Sequence, residues 1–181
     1  MRKVLLLACL SALLAGCGAQ DSISREYRCF FIFSYTDHPT SILFNTVQNP
    51  GCYAFVTTRG DGSSSPRHVY VRPNDGSNST EDNLIRTAPE NNYRYELGAN
   101  NETGLIIGLT NFSGLKAYDA VCPNCSSLTA LRWTGNMQHV SCSKCNRVYS
   151  LETGNITQGE EGTSLYLYYC SFDGTLLRAW N

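Results

Sequence analysis

Cys122-Pro123-Asn124-Cys125 and Cys142-Ser143-Lys144-Cys145, with sixteen residues between them, are the stretches of this chain whose residue types and spacing carry chemistry. Two C-x-x-C pairs at that separation match the pattern in which two tight hairpin turns bring four sulfurs to the corners of one tetrahedron around a metal. Pro123 in the first pair and the polar residues inside the second favour a bent backbone that points both sulfurs the same way. Four thiolates accept Zn(II) in a closed, redox-inert site, a single iron, or a two-iron cluster, and in an oxidising compartment they could instead form two disulfides. The compact two-plus-two arrangement favours one tetrahedral ion, zinc foremost, with Zn–S about 2.3 Å. Four protein ligands leave no place for water or substrate, so hydrolytic catalysis is not expected there.

The N-terminus places these residues in a compartment. Arg2 and Lys3 precede an apolar run from Val4 to Leu14, followed by Leu14-Ala15-Gly16-Cys17. A positive start, a short apolar stretch and small residues describe an export signal, and the run is too short to span a bilayer. Leu-Ala-Gly-Cys resembles the lipobox of bacterial lipoproteins, which implies removal of residues 1–16, lipid on Cys17 and a membrane anchor. The expected location is the bacterial cell envelope. Gly18 is not a retention signal of the aspartate type, so the outer membrane is preferred. Residues 17–27 then form a lipidated tether, and residues 28–181 suffice for one domain with a core.

Fourteen basic and fifteen acidic residues leave almost no net charge, and no basic stripe appears, so a nucleic-acid partner is not expected. Of nine cysteines, Cys9 leaves with the signal and Cys17 takes lipid. Beyond the quartet remain Cys29, Cys52 and Cys170, of which Cys29 and Cys52 are the preferred pair in an exported protein.

Richness in Gly, Asn, Ser, Thr and Tyr favours strands and turns over helices. Strands are expected over 29–35, 41–47 and 52–58, with a turn at Asn49-Pro50-Gly51, and over 68–72 between two loops. Residues 81–87 read as one helical turn capped by Ser79 or Thr80. Further strands are expected over 93–97, 104–110 and 115–121. Residues 127–133 and 137–141 form a hairpin between the cysteine pairs, and 148–151, 164–171 and 175–180 complete the set. Many short strands without a long amphipathic helix predict an all-β sandwich or open barrel, with the cysteine pairs on projecting loops.

Cys142-Ser143-Lys144-Cys145-Asn146-Arg147-Val148-Tyr149, continuing through Glu152 to Gly154, resembles the second cluster loop of Rieske iron–sulfur domains. Residues 115–123 are similar to the strand entering their first loop, and Leu165 to Tyr168 with Leu176 to Trp180 to their last two strands. The resemblance covers about residues 93–181. It implies stacked antiparallel sheets with a small two-loop metal subdomain at about 118–154. It also implies that Tyr149 can hydrogen-bond a cluster sulfur and tune its potential. Both histidine ligands of that family are absent: Asn124 and Cys125 stand at the first site, Cys145 at the second, and Asn146 replaces the following glycine. A two-iron cluster held here would be all-thiolate and of low potential.

His139 is expected to be a surface or hydrogen-bonded strand residue rather than a ligand, and His38 and His68 carry no motif. Three functions follow. The first is a structural metal, zinc before iron, in a binding or assembly module at the membrane. The second is an electron carrier, with a 2Fe-2S or single-iron centre, serving an envelope redox partner. The third is thiol–disulfide exchange, whose motif normally opens a helix that this context does not offer.

Overall fold

A computed structural model describes residues 22–181; the signal segment and Cys17 lie outside the described residues. The described residues are all-β, with two short helices, and their strands form two antiparallel sheets.

The first sheet is built from β1 (Cys29–Ser34), β2 (Cys52–Arg59), β3 (His68–Pro73), β4 (Glu81–Leu84), β5 (Glu96–Leu97), β6 (Leu105–Leu109) and β7 (Leu115–Asp119). It is completed by β12 (Leu167–Phe172) and β13 (Leu176–Trp180). Its order is β4-β3-β2-β6-β7-β12-β13-β1-β5. The second sheet, of four short strands, is β8 (Leu131–Trp133), β9 (His139–Cys142), β10 (Val148–Ser150) and β11 (Ile156–Gln158), ordered β11-β10-β9-β8.

Side-chain alternation explains how the sheets stack. Along β2, β6 and β7, Ala54, Val56, Leu105, Ile107 and Ala117 enter one apolar cluster, while Tyr53, Phe55, Ile106 and Tyr118 enter another. Successive residues point to opposite faces, so these strands are buried on both sides and read as continuous apolar runs. The first cluster unites residues from the two ends of the large sheet: Phe31 and Phe33 of β1 meet Val69 and Val71 of β3. The sheet therefore curls around its own core. The second cluster lies between the outer face of β2, β6 and β7 and the small sheet, which supplies Leu131, Val140, Cys142 and Tyr149.

Three sequence expectations are corrected. Residues 41–47 are not a strand but the start of a helix, α1 (Ile42–Gln48). The Ser41 hydroxyl accepts the Leu43 N–H at 3.3 Å as an N-cap. Leu43, Phe44 and Val47 then fall on one helical face and enter the core. Pro50 follows at the distance that ends a helix. Residues 81–87 are not a helical turn; Glu81–Leu84 pairs with β3 as β4, and the helical turn comes later, as α2 (Ala88–Asn91), with a proline in its first turn. Cys29 and Cys52 are not paired: β6, β7, β12 and β13 separate their strands, and all described cysteines are free thiols. Cys29 lies nearer Cys170, and burial, reinforced by that neighbour, pushes its thiol pKa up.

Two histidines without sequence motifs have partners. His38 stacks on Phe33 with ring centroids 4.6 Å apart and meets the buried Glu90 carboxylate at 3.0 Å, and His68 meets Asp82 at 2.6 Å.

Candidate metal centre

Each cysteine pair sits on a hairpin whose backbone bonds set its shape. Ahead of the first, Val121 bridges Ala130, and the Cys122 N–H donates to the Thr129 carbonyl at 2.8 Å. The turn closes through Leu128, whose N–H donates to the Cys125 carbonyl at 3.1 Å with φ at 48°. The second pair spans the β9–β10 turn. Here the Cys142 N–H donates to the Arg147 carbonyl and the Asn146 N–H to the Cys142 carbonyl, both at 2.9 Å. Asn146 has φ of 58°. That conformation suits glycine and is tolerated by asparagine.

The two hairpins face each other, and the four sulfurs all lie within 4.8 Å of one another. Close approaches run between hairpins: Cys122 to Cys145 at 3.6 Å and Cys125 to Cys142 at 3.7 Å. The structure thus brings together all four sequence-predicted ligands. Four cysteines so placed could hold a metal ion, and the donor set fits one: soft sulfur ligands, largely buried, converging from two rigid turns. His139 is not in the group. It lies an odd number of residues from Cys142 on the same strand, so it points to the opposite face.

Tyr149 is brought to the site, its hydroxyl 3.2 Å from the Cys122 sulfur. The orientation of that hydroxyl follows from Asn124, inside the first cysteine pair. Asn124 accepts the Thr163 N–H at 2.9 Å through its side-chain oxygen, so its side-chain nitrogen is the donor to the Thr163 carbonyl at 2.7 Å and to the Tyr149 oxygen at 2.9 Å. With its oxygen accepting from Asn124, Tyr149 is left to donate its proton to Cys122. Asn124 thus ties the first hairpin to residues 158–164.

Arg147 ties the second hairpin to the same segment, donating to the Glu160 carbonyl at 2.9 Å and the Glu161 carbonyl at 3.1 Å. Only its place two residues after Cys145 marked it in the sequence. Burial drives the Cys145 thiol up, but hydrogen bonds from the Arg147 side chain and backbone, with those of Cys142 and Cys122, outweigh it and lower the pKa to about 6. Cys122 goes the other way: burial pushes it up to about 12 against the Tyr149 hydrogen bond. The arrangement is therefore electrostatically asymmetric, with one thiolate favoured beside a guanidinium and one thiol held neutral in an apolar wall.

The small sheet is fastened to the large one at its edges. Trp133 packs on Phe55 with centroids 4.3 Å apart, and the Arg72 guanidinium lies 4.8 Å from the Phe55 ring. The Asn74 side chain donates to the Met137 carbonyl at 2.7 Å. Glu152 accepts the N–H groups of Asn111 at 2.7 Å and Phe112 at 3.1 Å, clasping the β6–β7 loop.

No protein-family model matches the chain, and no curated protein or solved structure matches it either.

Proposed function

We propose that this chain is a lipid-anchored protein of the bacterial envelope whose four cysteines hold one structural metal ion, zinc, and that the ion orders a small β layer used as a binding or assembly module. The observation that carries the reading is the spacing of the sulfurs. Bonds of about 2.3 Å in a tetrahedron place its corners about 3.8 Å apart, and the approaches between hairpins are 3.6 and 3.7 Å. A two-iron cluster would interpose a second metal between the two pairs of ligands and spread them further than one ion does. The all-β stacking, with a small sheet beside both cysteine loops, is compatible with the Rieske resemblance without its histidine-ligated cluster.

Cys122, Cys125, Cys142 and Cys145 would hold the ion, which would supply a fixed charge and a four-way crosslink. The remaining residues act around it: Tyr149 donates to Cys122, and Asn124 and Arg147 lock both hairpins to residues 158–164. One observation favours a second reading, an iron centre serving a redox partner. The Tyr149 hydroxyl is aimed at a ligand sulfur, the kind of contact that sets a potential.

Metal analysis by mass spectrometry, beside an absorption spectrum of protein purified without chelator, separates the two. One zinc per chain and no visible bands is the expected result. Iron with sulfide, and colour bleached by dithionite, would overturn zinc in favour of electron transfer.

A further inference from the structure

The small sheet covers the outer face of β2, β6 and β7 and the start of β12 at Leu167, and leaves bare the rest of that face, from Tyr169 across β13 and β1 to β5. Across that bare face runs a single row set by strand register: Glu96 opposite Phe30, Phe30 opposite Trp180, Trp180 opposite Tyr169. Phe30, Trp180 and Tyr169 are 39%, 38% and 50% exposed, although their neighbours along the strands, Phe31, Ala179 and Tyr168, are in the core. Trp180 stacks on Tyr169 at 5.4 Å, so the aromatics form a continuous patch. At its edge the one acid, Glu96, is flanked by two exposed guanidiniums, Arg28 at 3.5 Å and Arg94 at 3.9 Å. The row therefore ends in net positive charge.

We propose that this row of Phe30, Trp180 and Tyr169, edged by Arg28 and Arg94, is a membrane-docking face that lies in the headgroup layer of the bilayer holding the anchor. The inference rests on lipidation of Cys17 and adds an orientation to it.

Chain length commits the face to lipid. Ile23 bridges Leu167, two residues before Tyr169, and the Asn181 side chain, next to Trp180, donates to the Ser24 carbonyl at 2.9 Å. The tether thus joins the fold beside the aromatic row. Five residues lie between Cys17 and Ile23, six chain steps with a reach of at most about 22 Å however they are arranged. A domain of this size has a radius of gyration of about 15 Å and a diameter of about 40 Å. An anchor on Cys17 therefore brings the side of the domain bearing Trp180 to the bilayer. Tryptophan and tyrosine suit that boundary, because each has an apolar body and a polar tip, and guanidiniums meet lipid phosphates in bidentate fashion.

The test uses the full lipidated chain reconstituted in phosphatidylcholine–phosphatidylglycerol vesicles with brominated acyl chains. The chain has two tryptophans, so Trp133→Phe leaves Trp180 as sole reporter, and Trp180→Phe is its control. The expected result is flotation with the vesicles, loss of at least half the Trp180 emission relative to unbrominated vesicles, and little loss in the control. Flotation with unquenched Trp180 open to acrylamide overturns the docked face and leaves the anchor standing. Flotation with Trp180 shielded from both quenchers assigns the face to a second copy or another protein and also overturns the proposal. Failure to float removes anchor and docked face together.

Discussion

In the nine-stranded sheet, strands of up to eight residues curl around Phe31, Phe33, Leu43, Val56, Leu105 and Ile107, all of them without solvent exposure. In the four-stranded sheet, strands of three or four residues have one apolar face, and cysteines occupy part of it. The first region has the enclosed core that stabilises a domain. The second has too little apolar area to stand alone and borrows a wall from the outer face of the first, while its own loops converge on sulfur. Four cysteines without an ion bring little cohesion, whereas the same four bound to one ion would form a crosslink. Hydrophobic burial therefore holds the body together, and a metal ion at the four cysteines would hold the small layer.

Removing one ligand should have the largest effect. Structural zinc contributes roughly 10–16 kcal/mol in small zinc domains, so Cys142→Ser should lose the ion and the order of the small sheet. The near-ultraviolet dichroism of the body should survive, as should its thermal transition. Phe33→Ala should do the reverse. It deletes a fully buried ring from the body and should cost about 3–5 kcal/mol in denaturant unfolding, with metal stoichiometry unchanged. If both variants unfolded the whole chain in one transition, the two regions would be one cooperative unit and the comparison would fail.

Smaller changes sharpen the boundary. Tyr149→Phe leaves the Asn124 side-chain nitrogen with one partner fewer and should cost on the order of 1 kcal/mol. The cost should appear as faster metal loss to a competing chelator, with the body's unfolding midpoint unmoved. Glu152→Gln acts on the clasp between the regions. Burial raises the Glu152 pKa, but the N–H groups of Asn111 and Phe112 and the Ser113 hydroxyl outweigh it and hold the carboxylate below its ordinary range. A lowered carboxylate pKa gives stability that is full above the unfolded value and fades as pH falls through the folded one. Because the group is only partly buried and reaches solvent, its share should be below about 1 kcal/mol. Acid titrations of wild type and Glu152→Gln should differ near neutrality and converge at low pH.

The four-cysteine group was legible because C-x-x-C spacing is a local property: with two residues between them on a turn, the sulfurs face together wherever the turn sits. Most strands were legible through β-branched and aromatic runs. The helix at Ile42–Gln48 was not, because Ile, Thr and Val weight it toward strand while its burial at Leu43, Phe44 and Val47 follows a helical period. The roles of Asn124 and Arg147 were hidden for another reason. Both depend on residues 158–164, which no spacing rule connects to the cysteines. The bare aromatic row was equally invisible, since one residue of strand register decides whether Phe30 or Phe31 faces the core.

Hydrogen exchange on the full chain, with and without a zinc chelator, tests the division of labour most directly. The account predicts that chelation releases amides of β8 to β11 and of both cysteine hairpins, while β2, β6 and β7 keep their protection. Unchanged exchange in the small sheet, or loss of protection throughout the large one, would contradict it.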